Sequence, residues 1–258
     1  MGFQRFGIVG FGHFGQFFAA SLADAGAEVL VTDADDDRLA DLPAGVRAAP
    51  LAELAGTDAV VLAVPFSALD GTARSLRDHL RDGTVVMDVV STKARATAIL
   101  DEVLADHSDV LATHPLFGPP SMVRMGEGNR IVVTRRRGER ADALLRHFEE
   151  TYGVRIVEMP AEEHDKAMAY MQSLPFFIAR ALVNIDLDGL AHRETLAIPS
   201  FEKLAEIATI EEQHTVDMFD TSQISNPFAE AARAHFLDAL AKLQEEIGQH
   251  EAASDDGV

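Results

Sequence analysis

Cysteine is absent from this 258-residue chain, which excludes disulfides, thiolate nucleophiles and Cys-ligated zinc. Tryptophan is absent too, and lysine is confined to Lys93, Lys166, Lys203 and Lys242. Positive charge is scarce overall: 22 Lys and Arg against 42 Asp and Glu give a formal net charge of −20, which sets the chain against nucleic-acid phosphates. No apolar run approaches the ~20 residues of a membrane span, and the amino terminus lacks the basic-then-apolar pattern of a secretory signal. The expectation is a cytoplasmic protein with neither nucleic-acid nor membrane partners. Hydrophobic residues still make up 47% of the chain, enough for one large or two modest cores.

The stretch Phe6-Gly7-Ile8-Val9-Gly10-Phe11-Gly12-His13-Phe14-Gly15 is a short apolar strand running into a G-x-G-x-x-G turn. Gly10 permits the tight turn, Gly12 removes the Cβ that would block a pyrophosphate, and Gly15 allows close helix–strand packing. A helix expected over His13–Ala25 turns its free amides and positive dipole end toward that phosphate. A second strand, Glu28–Thr32, ends in Asp33, about where an acid accepts hydrogen bonds from a ribose diol. An acid there repels a 2′-phosphate, so NAD is favoured over NADP, although nearby Arg38 tempers the preference. The alternative for Asp33 is a solvated turn in the acidic run Asp33, Asp35, Asp36, Asp37.

Residues 1–158 alternate apolar strands with helical patterns, which predicts an α/β, Rossmann-type, doubly wound parallel sheet. Strands are expected at Phe3–Val9, Glu28–Thr32, Ala59–Ala63, Thr84–Met87, Asp109–Ala112, Arg130–Thr134 and Arg155–Val157. Intervening helices fall at Ser67–Leu80, Thr92–Ala105 and Arg140–Thr151. Val64 and Pro65 follow the third of these strands and Pro115 the fifth, at the carboxyl edge where ligands bind in open α/β sheets. Residues 159–250 read as helices alone (Ala161–Ile185, His192–Ile210, Glu211–Ser222 and Pro227–Gln249), with Pro199 expected to kink or delay the second. Their apolar surface suggests an all-helical dimerisation domain, hence a homodimer. Residues 251–258 read as a frayed acidic tail.

The fourth strand leads into Met87-Asp88-Val89-Val90-Ser91-Thr92-Lys93, and the fifth into Thr113-His114-Pro115-Leu116-Phe117-Gly118-Pro119. A nicotinamide bound across that edge would meet Ser91 and His114. Histidine suits proton removal near neutrality, and a hydroxyl neighbour can orient it. Ser91 is equally placed to cap the helix that follows, and His114 to be a satisfied loop histidine.

Together these segments resemble the prephenate and arogenate dehydrogenases of tyrosine biosynthesis, and in detail the plant-type arogenate enzymes. The resemblance also rests on Glu163-His164-Asp165 and Gln172-Ser173-Leu174. It implies hydride transfer from a ring carbinol carbon to NAD with loss of the ring carboxylate as CO₂. By the match His114 is the base at the hydroxyl, and Ser91 holds the hydroxyl or the imidazole. Lys93 supports the loop or attracts substrate carboxylates. Phe11, His13, Phe14 and Ser91 join the glycines, Asp33, Val64 and Pro65 as cofactor contacts. Arg124, Arg130 and Arg180 are candidate cations for the dianionic small-molecule substrate, and His164, Asp165 and Gln172 candidate substrate contacts. Glu162 and Glu163 suit a helix amino terminus better than a metal, and no metal is expected.

Two departures bear on the substrate. Much of the family carries a histidine soon after Gln-x-Leu, where this chain has Pro175-Phe176-Phe177, and Phe201–Ile207 lacks the arginines of bacterial prephenate enzymes. These favour, as the alternative, another cyclohexadienyl compound such as an amino-substituted prephenate. A catalytically idle NAD-binding sensor is a third possibility. A β-hydroxyacid dehydrogenase would need a helical lysine, for which Lys166 is poorly spaced.

Acid excess with little lysine suits a salt-adapted surface, whose self-repulsion is screened at high ionic strength. A GC-rich genome favouring Arg, Ala and Asp codons is the other source. Salt adaptation predicts a melting temperature that climbs steadily from low to molar salt; a flat profile would leave codon usage as the cause.

Overall fold

A computed structural model describes residues 2–119, 124–212 and 216–255. The chain divides into two compact units, Met1–Asp165 and Lys166–Val258. The first is built on β1 (Arg5–Val9), β2 (Glu28–Thr32), β3 (Val46–Ala48), β4 (Ala59–Leu62), β5 (Val85–Asp88), β6 (Val110–Pro115), β7 (Arg130–Arg137) and β8 (Arg155–Glu158). Its helices are α1 (His13–Asp24), α2 (Leu51–Leu54), α3 (Phe66–Arg77), α4 (Ala94–Val103), α5 (Glu139–Tyr152) and the start of α6 (Ala161–Met168).

The strands form one sheet in the order β3-β2-β1-β4-β5-β6-β7-β8. All neighbours are parallel except β6 and β7. That pair is the one antiparallel neighbour in the expected doubly wound parallel sheet. Between β6 and β7 lies no crossover helix among the described residues, and a chain that returns without one must pair antiparallel. The sequence also missed β3, which is three residues long with only Val46 buried, too short for an alternation signal.

Side-chain alternation along the strands sorts the core into two layers. Phe6, Ile8, Val29, Val31, Ala59, Val61, Val85, Met87 and Leu111 face one layer, packed with Phe18 and Leu22 of α1 and Phe148 of α5. Val9, Leu30, Val60, Leu62, Val86, Val110 and Ala112 face the other, closed by Leu69, Ala73 and Leu76 of α3 and Leu100 of α4. Phe6–Val9 of β1, all of β4 and Val85–Met87 of β5 read as apolar runs because both of their faces are covered.

The strand order reverses between β1 and β4, and there the glycine turn is held by close packing. A Cβ on Gly10 (φ +97°) would lie 2.4 Å from the Ala63 carbonyl oxygen, and one on Gly15 would lie 2.1 Å from that of Gly10. Helix α1 therefore seats directly on the end of β1.

β6 runs on through Thr113, His114 and Pro115, three residues past the expected strand, with a register shift at Ala112/Thr113. His114 is thus a strand residue re-aimed by an irregularity, not a loop histidine.

The second unit is helical. The end of α6, a π-helical turn Ala169–Ser173 and α7 (Leu174–Val183) run on continuously. After α8 (Arg193–Leu196), Pro199 restarts the chain as α9 (Pro199–Glu212), because proline is accommodated at a helix start and not inside one. α10 (Val216–Asp220) leads into a second π-helical turn, Thr221–Ser225, and then α11 (Ala229–Asp255). The two π turns lock together: Ser173 Oγ donates to the Ser222 carbonyl (2.8 Å), and Gln223 Nε2 donates to the Ser173 carbonyl (2.6 Å). Part of the expected helix Glu211–Ser222, residues 213–215, lies outside the described residues. α11 continues to Asp255 where a frayed tail was expected from 251, since Glu251, Ala252 and Ala253 favour helix; residues 256–258 lie outside the described residues. Among the described residues no helix is long and apolar enough to cross a membrane.

The seating of α1 predicts different outcomes at two neighbouring glycines. Gly15→Ala must push α1 off β1 and should cost about 1–3 kcal/mol as overpacking. Gly12→Ala meets only Arg38 Nη1, at 3.5 Å, and should melt like the wild type. Identical melting of the two variants would contradict the close helix–strand contact.

Candidate active site

The carboxyl edge of the sheet gathers most of the sequence candidates. Gly12 caps α1 with extended backbone, no side chain of its own caps the helix, and the first turn carries no acid. The turn amides thus face an open cradle that a Cβ at Gly12 would narrow, which fits a dinucleotide pyrophosphate. Asp33, just past β2, accepts from the Phe11 amide through Oδ2 (2.6 Å) and from the Asp35 amide through Oδ1 (2.9 Å). Its side chain is 8% exposed, so it is an anchored group and not a solvated turn acid; each carboxylate oxygen keeps further acceptor capacity. Arg38 Nη1 stands 3.6 Å from Asp33 Oδ2. Val64 and Pro65 follow β4 opposite Gly10, with Val64 Cγ1 3.0 Å from where a Gly10 Cβ would be. Phe117, from the segment after β6, packs against Phe14 and Phe17 of α1 at ring separations of 6.5 and 6.1 Å. His13 is exposed and Phe11 buried.

Between β5 and α4 the polypeptide folds around a buried ion pair. Lys93 and Asp88 are both 0% exposed. Lys93 Nζ donates to Asp88 Oδ2 (2.5 Å), the Thr113 carbonyl (2.6 Å) and the Val90 carbonyl (3.2 Å). Asp88 also accepts from the amides of Val90 (3.0 Å) and Thr113 (3.2 Å). Burial pushes the Lys93 ammonium below its ordinary pKa, and Asp88 opposes the shift. Lys93 is therefore corrected as a substrate contact: all three of its donors are used inside the protein, and it supports the loop that carries Ser91.

His114 Nδ1 meets His164 Nε2 at 2.9 Å, and His164 Nδ1 meets Asp165 Oδ1 at 2.8 Å. Asp165 further accepts the amides of Lys93 (2.7 Å) and Ala94 (2.8 Å). The start of α4 is thus capped by a residue 72 positions away, not by Ser91. His164 and Asp165 are 1% and 0% exposed, so they too are corrected as substrate contacts: each is enclosed in the network behind His114. His114 itself lies well below the ordinary histidine range, first through burial and then through His164 and Lys93, so its ring is neutral near pH 7. Its Nδ1 is engaged by His164 and is not held by Ser91, which is half-buried after β5.

The candidate cations separate. Arg130 opens β7 beside β6, where its carbonyl accepts from the Leu116 amide at 2.8 Å, and its exposed side chain shares the edge with His114. Arg124 pairs with Asp24 at the far end of α1, about 18 Å of helix from the glycine turn. It is corrected as a carboxylate ligand on that ground. Gln172 belongs to the second unit, half-buried in the π turn, and Arg180 there stacks on Phe219 at 4.1 Å. Sequence reasoning missed Asp88 and Thr113 as partners of Lys93. Asp88 stood in the quoted motif, but its role depends on a carbonyl from the next strand.

A neutral buried His114 has a consequence for stability. The unfolded chain binds a proton near pH 6.5 that the folded site refuses, so the contribution is present above that pH and is lost as the pH falls below it. The wild-type melting temperature should drop more steeply than that of His114→Asn between pH 7 and 5; parallel curves would show a protonated His114.

Residues 18–157 match the family model described as prephenate dehydrogenase, nucleotide-binding domain. The 4-amino-4-deoxyprephenate dehydrogenase of Streptomyces pristinaespiralis is 30% identical over 256 residues, covering 93% of this chain and 83% of that one. Arogenate dehydrogenase 1 of Arabidopsis thaliana is 30% identical over 197 residues, covering 69% of this chain and 30% of that one. The chain spans about half, 54%, of a Methanocaldococcus jannaschii relative. In fold it is similar to the prephenate dehydrogenase of A. aeolicus solved with hydroxyphenyl propionate and NAD+, with a TM-score of 0.78 at 22% identity over 98% of this chain and 93% of that one. With a family model over more than half of its length and a relative matched nearly end to end, the chain belongs to the prephenate dehydrogenase family.

Proposed function

We propose that this chain catalyses the NAD-dependent oxidative decarboxylation of prephenate or arogenate, with His114 as the base. The observation that carries this is a neutral, buried imidazole at the carboxyl edge of β6, on the same sheet edge as a glycine cradle for a dinucleotide. The dinucleotide, when bound, supplies the acceptor for hydride from the ring carbinol carbon. Gly10, Gly12 and Gly15 shape its cradle, and Asp33 is the ribose acid that favours NAD over NADP. Plant-type motif detail is one support for arogenate.

His114 accepts the proton of the carbinol hydroxyl as the hydride leaves. The ring carboxylate then departs as CO₂, and aromatisation drives the reaction forward. General-base assistance of this kind is worth roughly 10²–10⁴ in rate. Ser91 holds the hydroxyl from the loop anchored by Lys93, and Arg130 attracts a substrate carboxylate. Gln172 is proposed as a further substrate contact.

A second reading, 4-amino-4-deoxyprephenate as substrate, is favoured by the near end-to-end match to the Streptomyces enzyme and by Phe176 in place of the family histidine. In the helical unit Met171, Leu196, Ile198 and Ile224 are 60–74% exposed in the single chain. Such a surface supports a homodimer.

Absorbance of the reduced cofactor, followed with NAD or NADP and each of the three substrates, separates these readings. His114→Asn should lower turnover at least 10²-fold while NAD still binds; near-normal turnover would remove His114 from the chemistry. Silence of the wild type on all three substrates, with NAD bound, would leave a sensor.

A further inference from the structure

Asp165 reaches the start of α4, and the donor sense of everything behind His114 follows from that contact. Backbone N–H groups only donate, so Asp165 is an acceptor at both oxygens, from Lys93 N on Oδ1 and Ala94 N on Oδ2. The imidazole nitrogen facing Oδ1, His164 Nδ1 at 2.8 Å, therefore carries a proton. With the 1%-exposed His164 ring neutral, it holds one such proton, and its Nε2 is left as an acceptor. His114 Nδ1, 2.9 Å from it, must then be the donor, and the lone pair of His114 is on Nε2.

We propose that His164 and Asp165 are positioning residues that hold His114 in the Nδ1–H tautomer, so that Nε2 meets the substrate hydroxyl as a bare acceptor, an inference that rests on His114 being the base. An imidazole without such a partner populates both tautomers, and the Nε2–H form would present a donor where an acceptor is needed. After proton transfer the imidazolium keeps its Nδ1–H bond to His164, whose own proton faces the Asp165 carboxylate. That carboxylate lies at the amino terminus of α4, where the helix dipole favours negative charge. The two rings meet at an interplanar angle of 79° with His164 1% exposed, so water does not compete for Nδ1. The network also ties the base to the Ser91–Lys93 loop, because the carboxylate that orients the histidines closes the first turn of α4.

The test uses the whole chain labelled with ¹⁵N-histidine, without substrate, and reads the tautomer of His114 from two-bond ¹H–¹⁵N correlations near pH 7. Wild type should show a protonated Nδ1 and a bare Nε2; a protonated Nε2 on His114 overturns the proposal at once. His164→Phe keeps the ring volume and removes the acceptor. It should mix the tautomers and lower kcat roughly 10²-fold, near the upper end for removing a supporting partner of a site residue, with KM and NAD affinity within about twofold. His164→Gln places an amide oxygen near the lost nitrogen, and should restore the Nδ1–H form with at least about tenfold of the lost kcat. An unchanged tautomer and kcat in His164→Phe would reduce both residues to a helix cap. If His164→Phe does not fold, the wild-type and His164→Gln spectra decide: a mixed tautomer in the glutamine variant counts against the relay. The tautomer readout needs no turnover, so a wrong relay is told apart from a wrong base, which His114→Asn tests.

Discussion

The carboxyl edge of the sheet depends on an ammonium group with no access to water. Lys93 meets one carboxylate and two carbonyls, and these come from the end of β5, the loop after it and the interior of β6. A buried charge is tolerated only when it is paired and fully hydrogen-bonded, and removing one partner of such a pair typically costs about 3–5 kcal/mol. Two strand ends and a loop are therefore held in one arrangement. Ser91 and His114, which the sequence separates by more than twenty positions, are carried on these segments.

A second layer of constraint comes from helix ends. The first turn of α1 has no side-chain cap and leaves its amides toward the glycine cradle. The first turn of α4, at the same edge, is closed by Asp165. One helix end is thus open toward a ligand and the other is consumed by structure. Carboxylates of the same chemistry serve different roles because burial differs: Asp165 is sealed in, while Asp33 has both oxygens partly engaged and acceptor sites to spare. The same contrast separates the basic residues. Lys93 is enclosed, whereas Arg130 and Arg38 remain at the surface.

Much of this was legible in the residues. Runs such as Val29–Val31, Val60–Leu62 and Val85–Met87 are apolar without interruption, and only a strand covered on both faces needs that pattern. The glycine turn was legible because Gly10 and Gly15 answer local steric demands. β7's direction was not, since hydrophobic runs carry no sign of orientation. Nor was the choice between the two roles offered for Lys93, or the role of Arg124, His164 or Asp165: a charged residue reads the same in sequence whether it faces substrate, solvent or a buried partner.

By itself, then, the sequence determined the strands and helices of the first unit apart from β3 and α2, the helical character of the second, the glycine cradle and the candidate pair Ser91 and His114. Those depend on periodicity, turn chemistry and short spacings, which act between near neighbours along the chain. Tertiary structure alone decided that His114 lies within a strand past an irregular register, and that its Nδ1 faces His164. It also decided that Asp165 caps a helix whose flanking residue, Lys93, lies 72 positions earlier. These are contacts between residues remote in sequence, chosen by which buried polar groups can satisfy one another once water has been excluded.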